Sequence, residues 1–502
     1  MKSACCCAAL DDRTGGGTPG GGTERPSAAE LIADPAHLER RKAAHDAALK
    51  RIAADPKMQA TRQAARASSF LGTAKSRLLP ASMPFRFFGA ATLFHLLFWL
   101  LLLLDPAAAT GFVSGLGPPL AALHSLTLGT LAMTAIGASL QLLPVATRQP
   151  IGSTRWIVLL WWLYLPSLLL LLAGMALPQV TLLALGAVGV TLGLVVYLML
   201  LARNLAGARG MPVVLVHGWL ALAALAVLLL AALSMVGGYA GWPPVLDRGR
   251  ALPLHVAYAG YGFMVMLVMG FSAILVPMFA LSPPPATRLA LVGAGLGAAA
   301  LLLVWFALPE AASPWWWVLA CVLALTGFAI HVTQMRRCLA QGMRKELGSS
   351  FVLVKLGWAL IAASLAVAAL QAAGHALPAL GALLAWLPVT LAALLLMLGL
   401  LSVLTGILSR ILPFLASMHA PAGKRGPPVP SSLTAAGPQR WHAWAHPLAC
   451  ALLLVATWTG QPWLMALAAL AGATGALAFV AFFAHAWRRM RPPATTTAAP
   501  AA

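Results

Sequence analysis

Acidic residues are scarce in this sequence, and its long apolar runs contain none. Eight of the 12 Asp and Glu residues precede residue 56 of the 502-residue chain. The other four lie in predicted loops or at the ends of apolar runs, at Asp105, Asp247, Glu310 and Glu346. Because proton-coupled transporters usually carry a carboxylate inside the membrane, this distribution disfavours that class of protein.

Charged residues as a whole make up only 9% of the chain, against 61% hydrophobic residues. Soluble globular domains do not have this balance, so the sequence predicts an all-α integral membrane protein. The six cysteines predict no disulfide framework, because Cys5, Cys6 and Cys7 stand together and the other three are scattered. This N-terminal cluster could bind a metal or carry a lipid, but a tail without function is favoured.

Apolar runs of sufficient length predict twelve membrane spans. They cover residues 87–105, 118–145, 155–176, 179–202, 213–235, 252–281, 288–308, 314–334, 350–372, 389–416, 442–459 and 463–486. The apolar residues 373–388 contain Pro378 and Pro388, and they are interpreted as a re-entrant or interfacial segment. Residues 1–84 are predicted to form a basic cytoplasmic region that is partly disordered and partly helical. Residues 85–490 are predicted to form the membrane domain, and residues 491–502 a disordered tail.

The positions of the basic residues relate the net charge of +21 to membrane topology. Of the 33 Lys and Arg residues, 14 precede the first span, and most others lie in alternate loops. The opposite set of loops carries only Arg248 and Arg250. The positive-inside rule therefore predicts cytoplasmic termini. We expect a multi-pass protein of the bacterial inner (plasma) membrane, in contact with anionic lipid and not with nucleic acid.

A sequence motif recurs with a period of four spans. Gly129, Met133, Gly137 and Pro144 in span 2 have the same spacing as Gly262, Met266, Gly270 and Pro277 in span 6, and Gly406 and Pro413 continue it in span 10. The pattern predicts three pseudo-equivalent four-helix units. Its small residues clear one helix face for another helix or for a flat ligand.

Two histidines, His124 and His255, stand at the start of the first two copies and are predicted to lie in the outer half of the bilayer. They are interpreted as ligands of haem or a metal, with structural histidines as the alternative. His375 could supply a third metal ligand, although a loop histidine is favoured there. His95 falls within span 1. His442 and His446, spaced for ligation on one helix face, are interpreted with their neighbouring tryptophans as an interfacial anchor.

The threefold arrangement of twelve spans, with His124 and His255 near their outer ends, resembles subunit I of the haem–copper oxidases. The span 2 ending "GASLQLLP" resembles the cbb3-type oxidases and nitric oxide reductases. The "FRFF" entry at 85–88 is similar to that of the NnrS family, whose haem- and copper-containing members are linked to nitric oxide metabolism. The resemblance implies that His124 ligates low-spin haem and that His255 ligates copper.

Histidines that the oxidases need are missing here. Oxygen-reducing members carry a histidine pair in span 7 and His-x-His in span 10, and neither span has a histidine in this chain. The expected roles are therefore haem or copper handling, nitric oxide response or electron transfer, with a redox partner or second membrane subunit. Whether the protein is an enzyme is left open. The alternatives are a secondary transporter, although those usually repeat every five or six spans, and a cofactor-free scaffold.

Arg410 is a charged residue within predicted span 10, near its cytoplasmic end. Its side chain is expected to extend to the interface, with pairing to a haem propionate as the alternative.

Overall fold

The structure is a computed structural model that describes residues 78–309, 311–421 and 428–491, together with Glu39, Ala43, Asp46 and Ala47. The chain divides into two units, Met1–Thr73 and Ala74–Ala502, and the helices below belong to the second. The cysteine cluster at the N-terminus, most of the predicted region 1–84 and nearly all of the predicted tail 491–502 lie outside the described residues.

Long helices and short turns make up the described part of the chain, which contains no strand. Eleven of its helices are long and apolar enough to cross a membrane. They are α1 (Ser82–Leu104), α2 (Pro118–Thr147), α3 (Thr154–Ala176), α4 (Val180–Ala206), α5 (Pro212–Ala240), α6 (Arg248–Ala280), α7 (Thr287–Phe306), α8 (Trp315–Gln341), α9 (Ser349–Ala376), α10 (Leu391–His419) and α12 (Pro462–Met490).

A twelfth long helix, α11 (Ala436–Thr459), packs along α12 but is less apolar than the others. Its first three turns contain Arg440, His442 and His446. The structure thus supports an all-α membrane protein with eleven apolar helices where the sequence predicted twelve spans. Short helices at Pro106–Thr110, Pro378–Leu384 and Pro430–Leu433 complete the fold, and the second falls within the predicted interfacial segment 373–388.

Helix boundaries follow local chemistry. Proline begins α2, α5 and α12, where its missing N–H has no helical partner in any case. Asp247 caps α6, since its Oδ1 accepts a hydrogen bond of 3.0 Å from the Arg250 N–H. Gly460 ends α11 in the left-handed conformation, with φ of 67°.

The repeat between α2 and α6 is visible in the backbone. Each helix contains a π-helical segment, Ser125–Ala132 in α2 and Tyr258–Val265 in α6, and the two segments are offset by 258 − 125 = 133 residues. Both helices also end at matching positions, followed by the left-handed residues Arg148 and Leu281 at the same offset. Since π-helical turns are rare, matching segments at this offset show that α2 and α6 share a backbone feature as well as a sequence motif.

The three helices that carry the motif lie deep in the bundle. In their most apolar windows α2 is 78% buried and α6 is 83% buried, whereas most other spans are 39–44% buried. Helix α10 is 56% buried, as is α1, and α10 contacts the π-helical segments of both α2 and α6. The motif therefore marks the helices that other helices surround.

Neighbouring helices fill the faces that the motif glycines clear. A Cβ on Gly262 would lie 2.7 Å from the Ala224 Cβ of α5, and one on Gly406 would lie 2.6 Å from the Ser350 carbonyl oxygen of α9. Gly129 likewise packs directly against Phe94 of α1. Of the two uses predicted for these small residues, close helix packing is the one observed.

Arg410 forms a hydrogen-bonded link between α10 and the start of α9. Its Nε donates to the Ser350 hydroxyl at 2.8 Å, and its Nη2 donates to the Leu347 carbonyl oxygen. The half-buried guanidinium is thus engaged by the protein, which neither of the two interpretations of Arg410 anticipated.

Replacing Arg410 with methionine is expected to lower the free energy of unfolding by about 2 kcal/mol, because two hydrogen bonds from a charged donor are lost while the apolar stem remains. Thermal unfolding in detergent measures this change. Arg288→Met, at an exposed arginine in the first turn of α7, is the matched control and should shift stability by less than about 0.5 kcal/mol. Equal shifts in the two variants would contradict a structural role for Arg410.

Candidate functional site

His124 and His255, the two histidines singled out in the sequence, face each other between α2 and α6. Their ring centroids lie 6.2 Å apart, with 40° between the ring planes. His124 directly precedes the π-helical segment of α2, and His255 lies three residues before that of α6. We call these two residues the His124–His255 pair.

The two histidines are not equivalent in the repeat. They are 255 − 124 = 131 residues apart, whereas the backbone repeats at 133, so His255 corresponds to Ala122. This corrects the assumption that they occupy matched positions. The two rings nevertheless meet, so the contact joins positions of α2 and α6 that are not equivalent in the repeat.

Hydrogen bonds leave one ring nitrogen of His124 free to act as a ligand. Its Nδ1 lies 3.0 Å from the Leu120 carbonyl oxygen, which can only accept, so Nδ1 carries the proton and Nε2 keeps its lone pair. Metal-binding histidines commonly use this second-shell arrangement. The Nδ1 of His255 is buried without a hydrogen-bond partner among the described residues.

The spacing of the rings matches that of two imidazoles on opposite sides of one metal ion. A metal–nitrogen distance of about 2.0 Å, plus about 1.2 Å from nitrogen to ring centre, separates two opposed ring centroids by about 6.4 Å. The observed 6.2 Å agrees with this value. His124 and His255 are therefore close enough that both imidazoles could hold one copper or iron ion.

His375 is not brought to this pair. It lies in the last turn of α9 with an exposed side chain, and within the described ranges no hydrogen bond or ring contact joins it to His124 or His255. The described part of the chain also contains no group of three or more His, Cys, Asp or Glu residues already arranged to hold a metal ion. A site at the pair would thus have two protein ligands.

The tyrosines that follow His255 are engaged elsewhere. Tyr258 donates from its hydroxyl to the Leu301 carbonyl oxygen at 3.0 Å, and Tyr261 donates to that of Ala324 at 3.1 Å. These bonds attach α6 to α7 and α8, so neither hydroxyl is directed at the His124–His255 pair.

The comparisons with known proteins do not assign a family. No protein-family model and no curated protein matches the sequence.

A second group of histidines was not predicted. His95 of α1 lies beside His442 and His446 of α11, with ring centroids 5.8 and 6.4 Å away. Trp441 and Trp444 are 58% and 80% exposed, whereas His442 and His446 are 1% and 2% exposed. The tryptophans thus fit an interfacial position, but the two histidines face the protein interior. The i, i+4 spacing was the sequence signal for this group.

A third group lines a small cavity between α5 and α8. His217, His331 and Gln334 each have a buried polar atom without a hydrogen-bond partner within the described ranges. The free volume of the cavity is about 10 Å³, close to the minimum for one water molecule.

Proposed function

We propose that the protein is a twelve-span membrane protein that binds copper or haem iron between His124 and His255. Its role would be haem or copper handling, nitric oxide response or electron transfer, and not oxygen reduction. The observation that carries the proposal is the pair of opposed imidazoles 6.2 Å apart, one of which has its Nδ1 proton held by a backbone carbonyl. The bound metal would supply one-electron chemistry, and the two imidazoles would hold it.

Copper fits the surroundings of the pair better than haem does. Gly129 and Gly262, the glycines nearest to the pair along the motif, are covered by Phe94 and Ala224. A macrocycle would need such a cleared helix face, whereas a single ion needs only the space between two nitrogens. Imidazole ligands suit copper in either of its common oxidation states.

The oxidase-like arrangement of three four-helix units is part of this proposal. It is supported by the backbone repeat of α2 and α6, by their burial, and by the contacts of α10 with both. In this arrangement α11 also crosses the membrane and completes the twelve spans, with its polar first turns in the interfacial region. Twelve spans place both termini on the same, cytoplasmic side.

A cofactor analysis of the purified protein tests the proposal. We expect an optical spectrum and an elemental analysis of the protein from membranes to show copper or iron, of which about one equivalent per chain is lost when His124 and His255 are both replaced with alanine. A Soret band would identify haem, and copper without that band would identify a copper site. A folded protein with neither metal, and unable to take up either, would refute the proposal.

The position of the C-terminus tests whether α11 is a span. A reporter that is active only in the cytoplasm should be active when it is fused after residue 502. It should also be active when it is inserted at Pro421. A reporter at Gly460, between α11 and α12, should be active only on the outer side. If α11 does not cross the membrane, eleven spans place the C-terminus outside, and the first result reverses.

A further inference from the structure

The buried group formed by His95, His442 and His446 lies where α1, α10, α11 and α12 meet. The ring centroids of His442 and His446 lie 5.3 Å apart, and the Phe479 ring covers His442 at 4.7 Å. Each of the three side chains is at most 2% exposed. We call these three residues the histidine triad.

Hydrogen bonds determine which nitrogen of each triad histidine carries the proton when the rings are neutral. His442 Nδ1 lies 3.1 Å from the Gly475 carbonyl oxygen and must donate to it, so His442 Nε2 has the lone pair. Ser402 gives its hydroxyl proton to the Leu398 carbonyl oxygen and therefore accepts from His446 Nε2, at 2.8 Å. The lone pair of His446 is consequently on Nδ1.

These two lone pairs have no hydrogen-bond donor. His442 Nε2 and His446 Nδ1 are both buried and unpartnered within the described part of the chain. His95 accepts the Trp99 indole N–H on its Nε2 at 3.2 Å, so its own proton is on Nδ1, which is also buried and unpartnered. Unsatisfied buried polar atoms are costly, at about 1–3 kcal/mol each, so a bound species that accepts both lone pairs would stabilise the fold.

The geometry points to a metal ion on the two lone pairs. The ring centroids of His442 and His446 are 5.3 Å apart, with 29° between the ring planes, which is close enough for both rings to reach one ion. His95 does not need to be a ligand, because its Nδ1–H can donate to a further ligand on the ion.

The charge of the surroundings selects the ion. None of the helices around the triad carries an Asp or Glu within its bounds, so no carboxylate is available to neutralise a divalent cation there. Burying two positive charges without an anion is far more costly than burying one. We propose that the triad is a second metal site, which binds monovalent copper through His442 Nε2 and His446 Nδ1.

This site does not depend on the His124–His255 pair, and it can be tested without the pair. In a full-length protein with His124→Ala and His255→Ala, titration with Cu(I) or Ag(I) against a competing chelator is expected to show one bound equivalent. His442→Gln should abolish this equivalent, since the glutamine amide can still donate to the Gly475 carbonyl but offers no imidazole. Thermal unfolding confirms that the variant is folded.

Two further variants separate ligation from packing. Ser402→Ala removes the group that fixes the His446 proton and should weaken binding by about 10–100-fold. His485→Ala, at a half-buried histidine of α12 outside the triad, should leave the titration unchanged. A folded protein that binds neither ion in the background without the pair would overturn the proposal and leave a water molecule as the occupant. Binding that survives His442→Gln would overturn it as well.

Discussion

Replacing His255 with alanine is expected to remove the metal bound at the His124–His255 pair. The substitution leaves one imidazole where two opposed rings stand 6.2 Å apart, and no described carboxylate or cysteine is in contact to replace the lost ligand. Loss of a second-shell partner alone costs about 10–100-fold in metal affinity, so loss of a ligand should cost at least about 100-fold. Elemental analysis and the optical spectrum measure the effect in proteins that all carry His442→Gln, so that metal at the histidine triad does not contribute.

His375→Ala is the matched control for this substitution. His375 lies in the last turn of α9 with an exposed side chain, without a described contact to the pair. Its replacement should therefore leave metal content unchanged. His124→Ala should reproduce the His255→Ala result, because both rings are needed. If metal content is retained in both pair variants and falls in His375→Ala, the pair is not the site.

Replacing Gly406 with alanine is expected to destabilise the protein by about 3 kcal/mol. The new Cβ would stand 2.6 Å from the Ser350 carbonyl oxygen and 2.9 Å from a Val354 methyl group. The first of these atoms belongs to the backbone of α9 and cannot rotate away, so the two helices must separate. The shift in thermal unfolding in detergent reports the cost.

The same substitution at Gly295 of α7 is expected to change stability in the opposite direction. A Cβ there meets no atom within 4 Å, so Gly295→Ala keeps the helix contacts and gains the better helix propensity of alanine. We expect it to raise stability by up to about 1 kcal/mol. If Gly406→Ala is as well tolerated as Gly295→Ala, the close packing of α9 against α10 is not as described.

Periodic features of the sequence predicted most of the helical architecture. Apolar runs gave the helices to within a few residues, as for α2, predicted at 118–145 and observed at Pro118–Thr147. The spacing of Gly129, Gly137 and Pro144 predicted the repeat of α2 and α6. These patterns are local, and each is contained in one stretch of chain. The same patterns predicted α11 as a span like the others, although it is less apolar than the other eleven long helices.

Contacts between distant helices could not be predicted in the same way. His95 and His442 are 442 − 95 = 347 residues apart, and their meeting depends on how α1 and α11 are rotated. The π-helical segments change which residues of α2 and α6 face their neighbours, and no sequence pattern predicted these segments. The motif pointed to His124 and His255 because each begins a copy, but only the structure shows that their rings meet.

The two histidine groups are close neighbours in the fold. Ser125, next to His124, donates from its hydroxyl to the carbonyl oxygen of Phe94, next to His95, at 2.9 Å. This hydrogen bond is one of the contacts between α1 and α2, and it joins residues adjacent to the His124–His255 pair and to the histidine triad.

The central claim is that two opposed imidazoles hold one metal ion, and the number of imidazoles on the metal tests it most directly. X-ray absorption can count them in a protein that carries His442→Gln, so that only the pair is loaded. We expect two imidazole nitrogens at about 2.0 Å from the metal in this protein and no imidazole-bound metal after His124→Ala. The same imidazole signal in a protein that lacks both His124 and His255 would contradict it.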